Sequence, residues 1–223
     1  MTLLAIDSST RALGIALYDG QQVRYELAWN SDNFHTVELA PAIEEGLERA
    51  QLKMRDIEAV GVTIGPGSYT GLRIGLALAK GLTLSGQRAL ITVPTLDVVA
   101  AAQPISDKPL AAVLQAGRGR IAVGWYAAQD GHWVAQGEAQ LSTAQDLLAA
   151  INKPTIICGE IYAEERKILA RKHANAQLVS PARSNRRPAV LAELAWQRWQ
   201  AGDVADPAGL GPVYTQSTEN IPQ

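Results

Sequence analysis

The residues best suited to chemistry in this chain are Asp7-Ser8-Ser9-Thr10, at the end of the apolar run Leu3-Leu4-Ala5-Ile6. A carboxylate at a strand tip can order a metal-bound water, while small hydroxyls and backbone N–H groups can meet phosphate oxygens. The same four residues can also make a turn through side-chain to backbone bonds, so both readings stand. A second stretch, Gly65-Pro66-Gly67-Ser68-Tyr69-Thr70-Gly71, could seat an anion at the start of a helix. It is not a P-loop, because no Gly-Lys-Ser or Gly-Lys-Thr follows at the required spacing. Nor is it a dinucleotide fingerprint, since Gly65, Gly67 and Gly71 lie two and four apart.

A two-domain phosphotransferase would offer a second carboxylate. Aligning Leu3-Leu4-Ala5-Ile6-Asp7 with Ala111-Ala112-Val113-Leu114-Gln115 instead sets Gln115 opposite Asp7. A neutral amide cannot replace that charge, so autonomous catalysis is not expected. His35, His132 and His173 share no helix-face spacing, which argues against a metal site. Arg118 and Arg120, and Arg183, Arg186 and Arg187, read as solvated loop charge, and would be the places to meet RNA. Cys158 is the one cysteine, which excludes an internal disulfide and fits a small hydrophobe in a strand. Trp125, Trp133, Trp196 and Trp199 read as core or helix anchors.

The elements that hold these residues follow from periodicity. Strands are expected at 3–6, 14–18 and 23–29, with Asp19-Gly20 as a hairpin turn. A helix from Thr36 to Leu52 carries the stripe Leu39, Ala40, Ile43, Leu47 and Ala50, with Pro41 kinking it or marking a later start. The β-branched run 59–64 is a buried strand. A helix then opens at Ser68 or Thr70, both good N-caps. Projected at 100° per residue, Gly71, Gly75 and Ala79 share a side with Leu72, Leu78 and Leu82, opposite Arg73, Lys80 and Thr83. Glycine inside a helix costs about 0.5 to 1 kcal/mol, so this small side is expected to meet another helix, from the fold or from a partner.

A strand at 89–93 and a helix to about Ala102 complete the first half, and 103–109 is the strongest linker signal. Strands at 110–114, 121–127 and 132–136, with Asp130-Gly131 between the last two, repeat the opening order. A helix at 144–151 follows, with Ser142 and Gln145 spaced as a capping box. Then come a strand at 155–158, a helix at 163–173, a strand at 178–179, and a last helix begun by Pro188 and ended by Gly202. The tail from Asp203 is turn-rich and expected to pack loosely. Domains are placed at 1–103 and 109–223, both α/β.

The chain has 223 residues, 47% hydrophobic and 19% charged, which argues for a globular fold over disorder. A formal net charge of -2 gives no global attraction to nucleic acid. No apolar run reaches a membrane-spanning length, and the start Met1-Thr2-Leu3-Leu4-Ala5-Ile6-Asp7 reads as a strand rather than a signal peptide, so the expected location is cytoplasmic.

The run Gly65-Pro66-Gly67-Ser68-Tyr69-Thr70-Gly71-Leu72-Arg73-Ile74-Gly75, continued by Ala79-Lys80-Gly81-Leu82, resembles the signature of the TsaB family, also called YeaZ. Leu3-Leu4-Ala5-Ile6-Asp7-Ser8-Ser9-Thr10 and His35-Thr36-Val37-Glu38-Leu39-Ala40-Pro41 are similar too. The resemblance is strong in the first half and weak after the linker. It implies a two-domain actin-like/Hsp70-like (ASKHA) α/β fold with two related β-β-β-α-β-α halves. It also implies a non-catalytic subunit that pairs with TsaD, with TsaE as a further ATPase partner, for threonylcarbamoyl transfer to adenosine beside the anticodon of tRNA. ATP and metal are then expected in the partner subunits and no cofactor on the isolated chain. Homodimerisation is possible when the chain is alone, and any tRNA contact is indirect or weak.

Members of that family pack against the partner through two helices of the first domain. The expected partner-binding residues are Leu39, Ile43, Leu47, Gly71, Leu72, Gly75, Leu78, Ala79 and Leu82, with Asp7, Ser8, Ser9 and Thr10 as a vestigial phosphate site. The family often has Asp-Ala-Arg and Gly-Asp-Gly where this chain reads Gln115-Ala116-Gly117-Arg118 and Gly159-Glu160-Ile161. Those departures count against a nucleotide site in the second half. The alternative of a different class is an actin-like-fold ATP-dependent kinase or ATPase acting alone.

Overall fold

A computed structural model describes residues 1–32, 35–172 and 174–215, without the His35 side chain. The first half runs β1 (Leu3–Asp7), β2 (Ala12–Tyr18), β3 (Val23–Asn30), α1 (His35–Arg49), β4 (Ala59–Thr63), α2 (Tyr69–Gly86), β5 (Ala89–Val93) and α3 (Thr95–Ala101). The second half runs β6 (Leu110–Gly117), β7 (Arg120–Gln129), β8 (His132–Ala135), β9 (Gln140–Ser142), α4 (Ala144–Ala150), β10 (Thr155–Gly159), α5 (Ala163–Leu169) and β11 (Ala176–Leu178), then α6 (Pro181–Ser184) and α7 (Pro188–Gln200). Two compact units result: Met1–Val98 with Arg186–Val213, and Val99–Asn185 with the chain from Tyr214.

In the first unit the strands lie in the order β3-β2-β1-β4-β5, and β1 pairs antiparallel with β2 and parallel with β4. Strand alternation sorts its side chains to two faces. Leu4 and Ile6 pack with Leu39, Ile43 and Leu47 of α1 and with Leu76 and Ala79 of α2. Leu3 and Ala5, on the other face, meet Leu191, Ala192 and Ala195 of α7.

The expected boundaries are corrected here. The segment 186–213 belongs with the first unit, because α7 is the element that covers the second face of its sheet. The tail is also better packed than expected as far as Val213: Ala205 N–H bonds Leu90 O at 2.8 Å and Val213 N–H bonds Ile64 O at 2.7 Å. The expectation for 216–223 lies outside the described residues.

The second unit repeats the plan, with the order β11-β10-β6-β7-β8 and β9 paired to β7. Its central strand β6 again pairs antiparallel with the next strand and parallel with a later one, β10. Neither β9 nor α6 follows from local pattern, since each has only three or four residues. Helix α5 ends at Leu169 and continues as a 3-10 turn, Ala170–Lys172, so the expected helix is shorter, and its last residue, His173, lies outside the described residues. Pro41 does not mark a later start of α1, which opens at His35 and carries it inside.

The cap of α4 also differs from the expected box. Thr143 is the N-cap, and its hydroxyl accepts Asp146 N–H at 3.2 Å. Ser142 instead pairs with Ile121 as the last residue of β9. Thr143→Ala should lower stability by about 1 kcal/mol in thermal unfolding, the usual cost of a lost cap. Ser142→Ala should cost less, since the half-buried Ser142 hydroxyl donates only to the neighbouring Thr143 O, at 3.2 Å, and caps no helix N–H.

Candidate functional site

The loop after β1 is held from three directions. Asp7 is buried, and its Oδ1 accepts Ser9 N–H at 3.0 Å, Ser9 Oγ at 2.6 Å and Thr63 Oγ1 at 3.0 Å. Its Oδ2 accepts Arg186 Nε at 2.7 Å, in an ion pair whose side chains are 2% and 4% exposed. Arg186 Nη2 also donates to Thr10 Oγ1 at 2.8 Å and to Ala12 O at 2.9 Å. Burial alone would push the Asp7 carboxyl up. The guanidinium charge and the Ser9 and Arg186 hydrogen bonds outweigh it and hold the carboxyl below its ordinary 3.8.

Helix α2 closes the third side. Ser8 Oγ donates to Gly71 O at 2.8 Å, and Ser68 N–H donates to Ser9 O at 2.6 Å. A Cβ on Gly75 would collide with Ser8 Oγ, which explains the tolerance of a costly glycine inside this helix. Ser68 is the N-cap, its Oγ accepting Gly71 N–H at 3.2 Å. The glycine turn therefore spends its Ser68 and Gly71 N–H groups on the fold, and the anion reading of the turn loses those two donors.

The phosphate reading of Asp7, Ser8, Ser9 and Thr10 fares likewise. All four are buried, and the carboxylate that a metal would need already has a buried cation. In the second unit Gln115 spends its amide on Glu160 O at 3.0 Å and Glu165 Oε1 at 3.3 Å. These residues do not fit a metal-phosphate group. Among the described residues no cluster of three His, Cys, Asp or Glu side chains could hold a metal ion. Cys158 is buried, and burial pushes its thiol up to about 12, as for an inert core group. His132 is exposed at the start of β8.

The arginine cluster before α7 is corrected by these contacts. Arg186 is a buried partner of Asp7, and Arg187 pairs with Glu26, so only Arg183 of the three is an exposed arginine without an ion pair among the described residues. Arg118 is exposed and Arg120 half-buried. Trp196 packs edge-on against Tyr18 and Trp199, with centroids 5.6 and 5.3 Å away, as a helix anchor.

Of the expected partner-binding residues, Leu39, Ile43, Leu47, Gly71, Leu72, Gly75 and Ala79 are buried within the first unit, while Leu78 and Leu82 are partly exposed. The small side of α2 faces its own unit, Gly71 and Gly75 at the loop and Ala79 in the sheet core, and Thr83, assigned to the opposite side, is buried as well. The outward stripe is instead Thr70, Arg73, Ala77, Gly81 and Leu84, at helical spacing. Leu84 is 69% exposed, and a Cβ on Gly81 would meet nothing. On α1, Ile43 and Leu47 floor an open groove of about 410 Å³, walled by Ala40, Glu44, Glu48 and Met54. No helix among the described residues is long and apolar enough to cross a membrane.

Known proteins match this architecture in sequence and in fold. A family model described as TsaD, tRNA N6-adenosine threonylcarbamoyltransferase, matches residues 30–181. The tRNA threonylcarbamoyladenosine biosynthesis protein TsaB of Bacillus subtilis is 30% identical over 98% of this chain and 96% of its own length. The structure of YeaZ from Pseudomonas aeruginosa superposes with a TM-score of 0.79 at 24% identity, covering 96% of this chain and 99% of that one. Component A of the (R)-2-hydroxyglutaryl-CoA dehydratase of Acidaminococcus fermentans, at 14% identity over 89% of this chain and 98% of its own, shares the fold with a TM-score of 0.51. The fold is thus the actin-like α/β class. By identity and coverage across nearly its whole length, the chain belongs to the TsaB (YeaZ) family, within the wider set of proteins that the TsaD model matches.

Proposed function

We propose that this chain is the non-catalytic subunit that pairs with a TsaD homologue, with TsaE as a further partner, for threonylcarbamoyl transfer to adenosine next to the anticodon of tRNA. The observation that carries the reading is the Asp7 site: its carboxylate is neutralised by Arg186, and its counterpart in the second unit is the neutral Gln115. A phosphoryl-transfer site depends on metal and charge to position and stabilise the moving group, and a carboxylate already paired with a buried cation, opposite a neutral amide, is poorly suited to hold a metal. ATP and metal chemistry then falls to the partner subunits, in the cytoplasm. The match of residues 30–181 to the TsaD model supports a partner of related fold.

The partner surface in this reading is the outward stripe of α2, with Leu78 and Leu82 on its flank, together with the exposed side of α1. Ala77 and Gly81 let another helix come close, and Leu84 offers an apolar anchor. The α1 groove adds an apolar floor rimmed by charges of both signs, Glu44, Glu48 and Lys53. The same surface would serve a homodimer when the chain is alone.

Calorimetric titration of the isolated chain with ATP and magnesium separates this reading from a lone kinase or ATPase. No binding at micromolar nucleotide is expected. Micromolar affinity with turnover would replace the scaffold by the enzyme.

A further inference from the structure

Arg186 is the first residue of the chain after it returns from the second unit to the first. It arrives as a buried cation with three partners on one loop: Asp7 Oδ2, Thr10 Oγ1 and Ala12 O. From Asp7 the contacts run on without a gap. Its other oxygen holds Ser9 and Thr63, Ser9 O accepts Ser68 N–H, and Ser8 Oγ donates to Gly71 O. Ser68 and Gly71 are the cap and the first turn of α2. The seat of that helix is therefore built on a loop whose charge is balanced from 179 residues away.

A guanidinium suits this task because its planar fork can serve a carboxylate, a hydroxyl and a carbonyl at once, whereas an ammonium is a point charge. The loop is packed as well as bonded: there is no room for a Cβ at Gly75 beside Ser8, nor at Gly67 beside Ser9. A shift of Ser8 and Ser9 must move the start of α2 or break its contacts. Packed elements of this kind switch between discrete arrangements rather than deform smoothly.

We propose that Arg186 is a positioning residue: a tethered cation on the loop after β1 that fixes the pose of α2 and thereby couples the chain crossing at Asn185 and Arg186 to the partner surface. This rests on the reading that α2 presents that surface. Disengaging Arg186 loosens residues 68–75 and weakens the partner complex, although Arg186 lies outside the docking face.

The test compares Arg186→Ala, Arg186→Lys and Gly81→Arg in the full chain, by amide hydrogen exchange and by titration with the TsaD homologue. Arg186→Ala should speed exchange across residues 68–75 and weaken the complex at least about fivefold, the lower end of ordinary coupling between sites. Millimolar guanidinium should restore both, and Arg186→Lys should restore them only in part. Gly81→Arg should weaken the complex without changing exchange at 68–75. A folded Arg186→Ala chain with parental exchange and parental affinity would overturn the proposal. If Arg186→Ala does not fold, Arg186→Lys decides by the same two readouts, with parental values again overturning it. If Gly81→Arg also binds as the parent does, the docking reading fails, and exchange at 68–75 still decides whether Arg186 seats the helix.

Discussion

Asp7→Asn will destabilise the fold by about 3–5 kcal/mol in denaturant unfolding at neutral pH, the usual cost of breaking one side of a buried ion pair. The loss comes mainly from Arg186, which keeps its charge at 2% side-chain exposure while the carboxylate it faces becomes a neutral amide. Pairing the change with Arg186→Met should recover part of that loss, because removing both charges spares the uncompensated one. The dependence on pH has a definite sign. The folded carboxyl lies below its ordinary 3.8, so the unfolded chain takes up the proton first as acid is added. The stabilisation is complete above 3.8 and is lost as pH falls through the folded value, so the gap between parent and Asp7→Asn should close in acid. A constant gap down to full acid unfolding would show that Asp7 is not ionised in the fold.

Gly75→Leu will cost stability at the upper end of the roughly 1–3 kcal/mol typical of overpacking, or more. The new side chain must displace Ser8, whose hydroxyl holds Gly71 O, so packing and a hydrogen bond fail together. Gly81→Ala, six residues along the same helix, should instead gain about 0.5 to 1 kcal/mol, since alanine restricts the unfolded chain and meets no neighbour here. The contrast separates two roles for helical glycine that look alike in sequence. Equal effects at the two positions would mean that Gly75 is not packed against the loop.

How the sequence encodes these features explains which could be read from it. Strand β5 at Ala89–Val93 and the Asp19-Gly20 and Asp130-Gly131 turns are local patterns, and they stand where pattern puts them. The related halves were legible for the same reason, as an order of strands and turns rather than of letters. The Ser68 cap was legible because a hydroxyl before a helix has one common use.

The unread parts are contacts between distant residues. Arg186 and Asp7 are far apart in the chain, and an arginine between Asn185 and Arg187 looks like loop charge until the fold buries it. Helix α7 follows the linker in sequence, so composition assigns it to the second domain, yet its Leu191, Ala192 and Ala195 complete the first. Gly71, Gly75 and Ala79 mark a close approach correctly but not what approaches. Small residues accept a loop or a sheet as readily as a partner helix, and here Ser8 of the loop has taken Gly71 and Gly75 while Ala79 packs in the sheet core.

The central claim is that the chain works by holding a TsaD homologue through the outward face of α2. The most direct measurement is titration of that homologue with the purified full chain and with its Gly81→Arg and Leu84→Asp variants, each first shown to be folded under the conditions of the titration. A tight complex with the parent and a clear loss of affinity in both variants is the predicted result. No complex with the parent, or variants that bind as the parent does, would contradict it.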